Sequence, residues 1–258
     1  MRPPAACSTW SFPPREQWQE VTPAEARDLL RRVFRRWGLP ERIRIDNGHP
    51  WGSAGDLPPE LALWLVGLGV VPEWNPARSP WLNPKVERAN GVTQRWVEIE
   101  DCPDHATLSE RLAWAQRLQR EWYPALAGRT RLETYPELTQ ILRPYAVERE
   151  PTLWHLGRID AFLAGRSWRR RADRYGTIWL YNRSHCLGRA HAGKDVQVGF
   201  DPATRHWVVS EASDGSPLVR FIAHELTRER ILSLDVSHRR PPRKKRPQPQ
   251  DPSTTSAT

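Results

Sequence analysis

Two acidic residues in dissimilar local settings constrain this chain more than any other feature. The first, Asp46, ends the β-branched run Ile43-Arg44-Ile45 and is followed by Asn47-Gly48. The second, Glu87, lies in Pro84-Lys85-Val86-Glu87-Arg88, where the proline suits the first turn of a helix. A strand end and a helix start, with forty residues between them, bring carboxylates from distant pieces of chain, which is how a fold assembles a metal-binding cluster. Alone, Asp-Asn-Gly is an ordinary turn tripeptide and Glu87 an ordinary helix-start acid, so the meaning lies in their order.

The surrounding pattern predicts the layers that would carry them. Thr22-Pro23-Ala24-Glu25 is a helix start with a capping box, and Ala26, Leu29, Leu30, Val33, Phe34 and Trp37 recur at helical spacing until Gly38 ends the helix. Its other face, with Arg31, Arg32, Arg35 and Arg36, reads as solvated surface. A strand over 43–45, a helix over 60–68, a strand over 70–74, a loop over 75–82 and the Glu87 helix follow. Strand, helix, strand, helix predicts an α/β layered domain. A further helix over 107–122 would bury Leu108, Leu112, Ala115 and Leu118, and residues 8–12 read as a short core strand.

The C-terminal half has a different texture. After a connector over 146–165, short alternating segments at 177–181, 195–200, 206–210 and 218–222 are separated by Asn182-Arg183, Asp201-Pro202 and Asp214-Gly215. Strands at this spacing predict a small all-β barrel over 166–237. The run Arg166, Arg169, Arg170, Arg171 and Arg174 lies ahead of its first expected strand and is a candidate phosphate-binding surface. Residues 238–258 include Arg239, Arg240, Arg243, Lys244, Lys245 and Arg246 against Asp251 alone, and read as a disordered basic tail.

The order Trp37-Gly38-Leu39-Pro40, Asp46-Asn47-Gly48, Gly67-Leu68-Gly69-Val70 and Asn83-Pro84-Lys85-Val86-Glu87-Arg88 resembles the retroviral-integrase-like insertion-sequence transposases of bacteria, whose active site is an acidic DDE triad. The resemblance covers roughly 8–145 and implies a ribonuclease-H-like domain over 1–145, of which this chain holds the later part, followed by a β-barrel. It implies that Asp46 and Glu87 are the second and third acids, ligands of Mg²⁺ or Mn²⁺ in phosphoryl transfer on double-stranded DNA. Lys85 and Arg88 flank Glu87 at positions that lie beside DNA in the family. Two departures stand out. The interval from Asp46 to Glu87 is longer than the family's, with the surplus placed in the Gly/Pro-rich stretch 53–59. None of Glu16, Glu20, Glu25, Asp28 and Glu41 fits the first acid, so the expectation is an N-terminally truncated polypeptide, inactive alone, or a non-catalytic DNA-binding regulator of transposition. Asp56 or Asp101 would be the third ligand if the chain cut DNA unaided.

Composition bounds the rest. In 258 residues the formal charge of +9 favours a polyanionic partner, which Lys and Arg bind by releasing its counterions. Cys7, Cys102 and Cys186 form neither a disulfide framework nor a zinc pattern, and His49, His105, His155, His185, His191 and His206 show no ligand spacing. The fourteen tryptophans read mostly as core residues, with no stacking platform legible among them. The apolar run 61–71 is too short to span a bilayer, and Met1-Arg2-Pro3-Pro4 does not open a signal peptide. The expectation is a soluble cytoplasmic protein with no membrane partner; the oligomeric state stays open, a homo-oligomer included.

Overall fold

A computed structural model describes residues 21–53, 55–76 and 84–234, without the side chains of 84–86, and shows mixed helix and sheet. The expected strand at 8–12, Cys7 and the basic tail with Arg243, Lys244, Lys245 and Arg246 lie outside the described residues. Among those described, no helix is long and apolar enough to cross a membrane.

Helix α1 spans Pro23–Trp37 and begins as its sequence dictates: the Thr22 hydroxyl accepts from the Glu25 amide, and the Glu25 carboxylate accepts from the Thr22 amide. Its stripe of Ala26, Leu30 and Phe34 is buried. Strand β1 (Arg42–Ile45) and strand β2 (Val71–Trp74) pair in parallel, with Arg42 opposite Val71 and Ile45 opposite Trp74. Helix α2 (Glu60–Gly67) connects them, and all eight of its residues are buried. A helix apolar on every side belongs in the middle of a core. Helix α2 has neighbours all round: α1 on one side and the later α7 on another. Gly67 is needed there, because a Cβ on it would come within 2.1 Å of the Trp154 indole nitrogen.

Helix α3 (Pro84–Val97) and helix α4 (His105–Arg117) pack together around a small cluster of their own, Val97, Leu108, Leu112 and Ala115. Asp104 caps α4 by accepting from the Thr107 amide, and a π-helical turn over Leu118–Trp122 extends it. Two single-turn helices follow, α5 (Arg131–Thr134) and α6 (Glu150–Leu153). Helix α7 (Leu156–Ala164) occupies the stretch expected as a connector, and its Ile159 and Leu163 are fully buried in the main core.

Around α6 lies a buried polar knot. Glu150 accepts from Arg31 at 2.9 and 3.0 Å, from the Tyr145 hydroxyl at 2.5 Å and from the Trp64 indole at 2.9 Å. Burial alone pushes the Glu150 carboxyl up; the hydrogen bonds from Arg31, Tyr145 and Trp64 and the Arg31 charge outweigh it, leaving the group below the usual carboxylate range. Burial, with the hydrogen bond to Glu150 and its charge, pushes the Tyr145 phenol up against the opposing Arg31 charge.

The C-terminal strands are β3 (Ser167–Arg171), β4 (Thr177–Leu180), β5 (Arg183–Cys186), β6 (Asp195–Asp201), β7 (His206–Glu211) and β8 (Pro217–Ile222), followed by helix α8 (Arg228–Leu232). They correct the expected barrel. An antiparallel sheet in the order β3-β6-β7-β8 stays open, and β4-β5 forms a separate hairpin. The cause is local: Asp173 accepts from the amides of Tyr175 and Thr177, and this turn leads the chain out of the sheet before β4 begins. The hairpin lies against the sheet's inner side instead, with the His185 ring 4.7 Å from Phe221 and Tyr181 6.1 Å from Trp207. One apolar cluster then runs from Ala26 through Trp64, Trp154 and Trp207 to Ile231. Tyr181 donating to the Pro58 carbonyl, and Trp168 to that of Asp56, fasten the strands to the loop before α2.

Candidate active site and basic surface

Asp46 leaves the carboxyl end of β1 with its side chain exposed. Parallel pairing sets the residue after β2 beside the residue after β1, and Asn75 exploits this. Its amide N–H bonds to the Ile45 carbonyl at 3.0 Å, its buried side chain donates to Asp46 Oδ1 at 2.6 Å, and its carbonyl accepts from Asn47 Nδ2 at 2.7 Å. Beyond Asn47 the backbone turns at Gly48, whose φ of +129° disfavours any residue with a Cβ. Gly48 and Gly52 bridge, and the Trp74 indole donates to the Trp51 carbonyl at 2.8 Å, which pins this loop to β2. The Asp-Asn-Gly motif is therefore a held turn whose carboxylate direction is fixed by a buried amide.

Glu87 lies in the first turn of α3, as expected, and is exposed, as is Arg88. The helix dipole favours a negative charge there. Lys85 falls within the same turn, its side chain outside the described residues. Among the described residues, no group of three or more His, Cys, Asp or Glu side chains stands close enough to hold a metal ion. Asp56 is engaged elsewhere: it accepts from Arg170 at 2.6 Å and from the Leu57 amide at 2.8 Å. Asp101 lies exposed in a 3-10 turn beyond α3.

The basic run corrects its sequence reading in one respect. It precedes the first expected strand, but its middle members Arg169, Arg170 and Arg171 themselves lie in β3 and so alternate between two faces. Trp168 and Arg170 turn inward, Arg170 to Asp56, while Arg169 and Arg171 turn outward. Arg169 pairs with Asp195 at 2.8 Å, a largely exposed contact. Arg166 lies 4.2 Å over the Phe162 ring and Arg174 4.7 Å over that of Tyr175. Arg166, Arg171 and Arg174 thus face solvent, and Arg170 is a structural tie. On α1, Arg31 likewise turns to Glu150, leaving Arg32, Arg35 and Arg36 exposed.

Sequence reasoning missed Asn75. Its signal was present only indirectly, in the chance that the residue ending a βαβ unit neighbours the residue that opens it.

No protein-family model matches this chain.

Proposed function

We propose that this chain is a transposase- or integrase-type polypeptide acting on double-stranded DNA, built on a ribonuclease-H-like core. The observation that carries the reading is Asp46 at the carboxyl end of a parallel βαβ unit, oriented by buried Asn75, in a chain whose Glu87 opens a later helix. In open α/β sheets, sites form at the carboxyl ends of the strands. Both carboxylates are hard oxygen donors and both are exposed, a donor set that suits Mg²⁺ or Mn²⁺. Asp46 and Glu87 would hold the ion, which when bound stabilises charge on a phosphoryl oxygen. Asn75 keeps one Asp46 oxygen directed by donating a hydrogen bond to it. Arg88, Lys85 and the outward arginines of the β3 region would hold the DNA backbone.

With two matching acids, we expect the chain alone to bind DNA without cutting or joining it. The second reading is a non-catalytic DNA-binding regulator of transposition, which needs the basic surface but not a complete set of acids. An oligonucleotide cleavage and joining assay with Mg²⁺ and Mn²⁺ tests this on the chain, on Glu87→Gln and on a version extended by a first acidic strand. Cleavage gained on extension and lost in extended Glu87→Gln supports the enzyme reading. Salt-dependent duplex binding without gain on extension supports the regulator. Absence of duplex binding refutes both.

A further inference from the structure

The hairpin β4-β5 buries one face and leaves the other open. Ile178, Leu180 and His185 point into the core, so the alternation turns Trp179 outward beside Ser184, its partner across the hairpin. Trp179 remains 53% exposed, and Tyr175, in the turn leading into β4, 54% exposed. An aromatic ring of this size usually contributes its area to a core or an interface. One such ring in isolation would call for no explanation.

The chemistry around these two rings singles out an occupant. Between residues 171 and 194 the cations are Arg171, Arg174, Arg183, Arg189 and Lys194, and the only acid is Asp173. That acid is already engaged by the backbone amides of Tyr175 and Thr177. Arg174 is held over the Tyr175 ring, which fixes a guanidinium at the edge of an aromatic surface. Arg171, Arg183 and Arg189 are exposed. Protein interfaces also gather rings and arginine, but an excess of five cations over one acid suits a polyanion, and surfaces for unpaired nucleic acid combine exposed rings with cations that track the phosphates. The two residues are four apart in the chain, so their Cα atoms are at most about 13 Å apart along an extended strand, within reach of a short oligonucleotide.

We infer that the outer face of the β4-β5 hairpin is a stacking surface for unpaired bases of a nucleic-acid strand, with Trp179 and Tyr175 as the platforms and Arg174 at its phosphate edge. The inference rests on the nucleic-acid reading above and adds to it a preference for strand that is not base-paired.

The test measures binding of the full chain to a fluorescein-labelled oligo-dT strand and, separately, to a duplex of the same length, across a salt series. Wild type should bind both. Trp179→Ala should lose on the order of 5- to 150-fold in affinity for the single strand, with its salt slope unchanged and duplex binding altered less than about twofold. Trp179→Phe should restore most of the loss, and Arg174→Gln should flatten the single-strand slope by about 0.7. A 5-iodouracil strand photo-crosslinked to wild type should label Trp179 or Tyr175, a readout independent of how any variant folds. Single-strand binding unchanged in Trp179→Ala, or labels mapping elsewhere, would overturn the inference while leaving duplex binding intact. Equal losses on strand and duplex would overturn it too. Binding to neither nucleic acid would remove this inference and the reading beneath it.

Discussion

The main body and the α3-α4 pair keep their shapes by different means. In the body, one apolar cluster joins α1, α2, α7, the four-stranded sheet and the β4-β5 hairpin, with Trp64, Trp154 and Trp207 all but inaccessible. In the α3-α4 pair the described core is four residues, helped by polar ties: Gln119 donates to Thr93 at 2.8 Å, and Arg131 to the Gln119 carbonyl at 2.9 Å. Arg120, 5.0 Å over the Trp37 ring, links that pair to α1. Asp46 belongs to the first region and Glu87 to the second. A site made from both would join a stiff wall to a lightly packed one, so its geometry would depend on how α3-α4 docks.

The comparison breaks first where the body is densest. Trp64→Ala should cost about 3–5 kcal/mol in urea denaturation, since it removes a fully buried ring and a bond to Glu150. Loss of less than about 1 kcal/mol would mean the body is not the rigid partner. Next, Glu150→Gln should cost about 3 kcal/mol at neutral pH, by leaving Arg31 with only the exposed Asp28 carboxylate as a charge partner. Because the folded Glu150 carboxyl lies below its ordinary range, this contribution is complete above about pH 4.5 and is lost as pH falls through the depressed value. The gap between wild type and variant should therefore close in acid; a gap constant from neutrality to pH 3 would contradict the ion-pair account.

Leu112→Ala sharpens the contrast from the other side. We expect about 2–3 kcal/mol, and native-state hydrogen exchange should speed up in α3 and α4 while the amides of α2 stay protected. Uniform acceleration would show that the two regions unfold as one. Asn75→Ala should cost about 1–2 kcal/mol and weaken Mn²⁺ binding read by paramagnetic broadening at Asp46, because a buried amide no longer directs that carboxylate. The smallest effect should be Glu73→Ala, which breaks the exposed pair with Arg42 at 2.8 Å; the midpoint should move by no more than about 0.5 kcal/mol.

Most helices and strands were legible in the chain because their signals are short-range. Thr22 and Glu25 form their box within one turn, and the alternation at 195–200 and 206–210 returned as β6 and β7. Asp46 at a strand end and Glu87 at a helix start could be read for the same reason. The open sheet could not: whether Thr177–Leu180 joins β3 depends on the Asp173 turn and on which face of the hairpin meets Phe221 and Trp207. Arg170 looked identical to Arg169 until pairing with β6 gave the strand two faces, one toward Asp56 and one toward water.

By itself, then, the sequence determined the element pattern, the excess of positive charge and the local settings of its two acids. Capping, helical spacing and strand alternation act between residues a few positions apart, so the order of side chains is enough to specify them. Tertiary structure alone decided that Asn75 reaches Asp46, that Glu150 gathers Arg31, Trp64 and Tyr145, and that Trp179 is left half exposed. Those outcomes depend on which distant surfaces pack together, and burial on one side of a strand or helix is what gives its other side a direction.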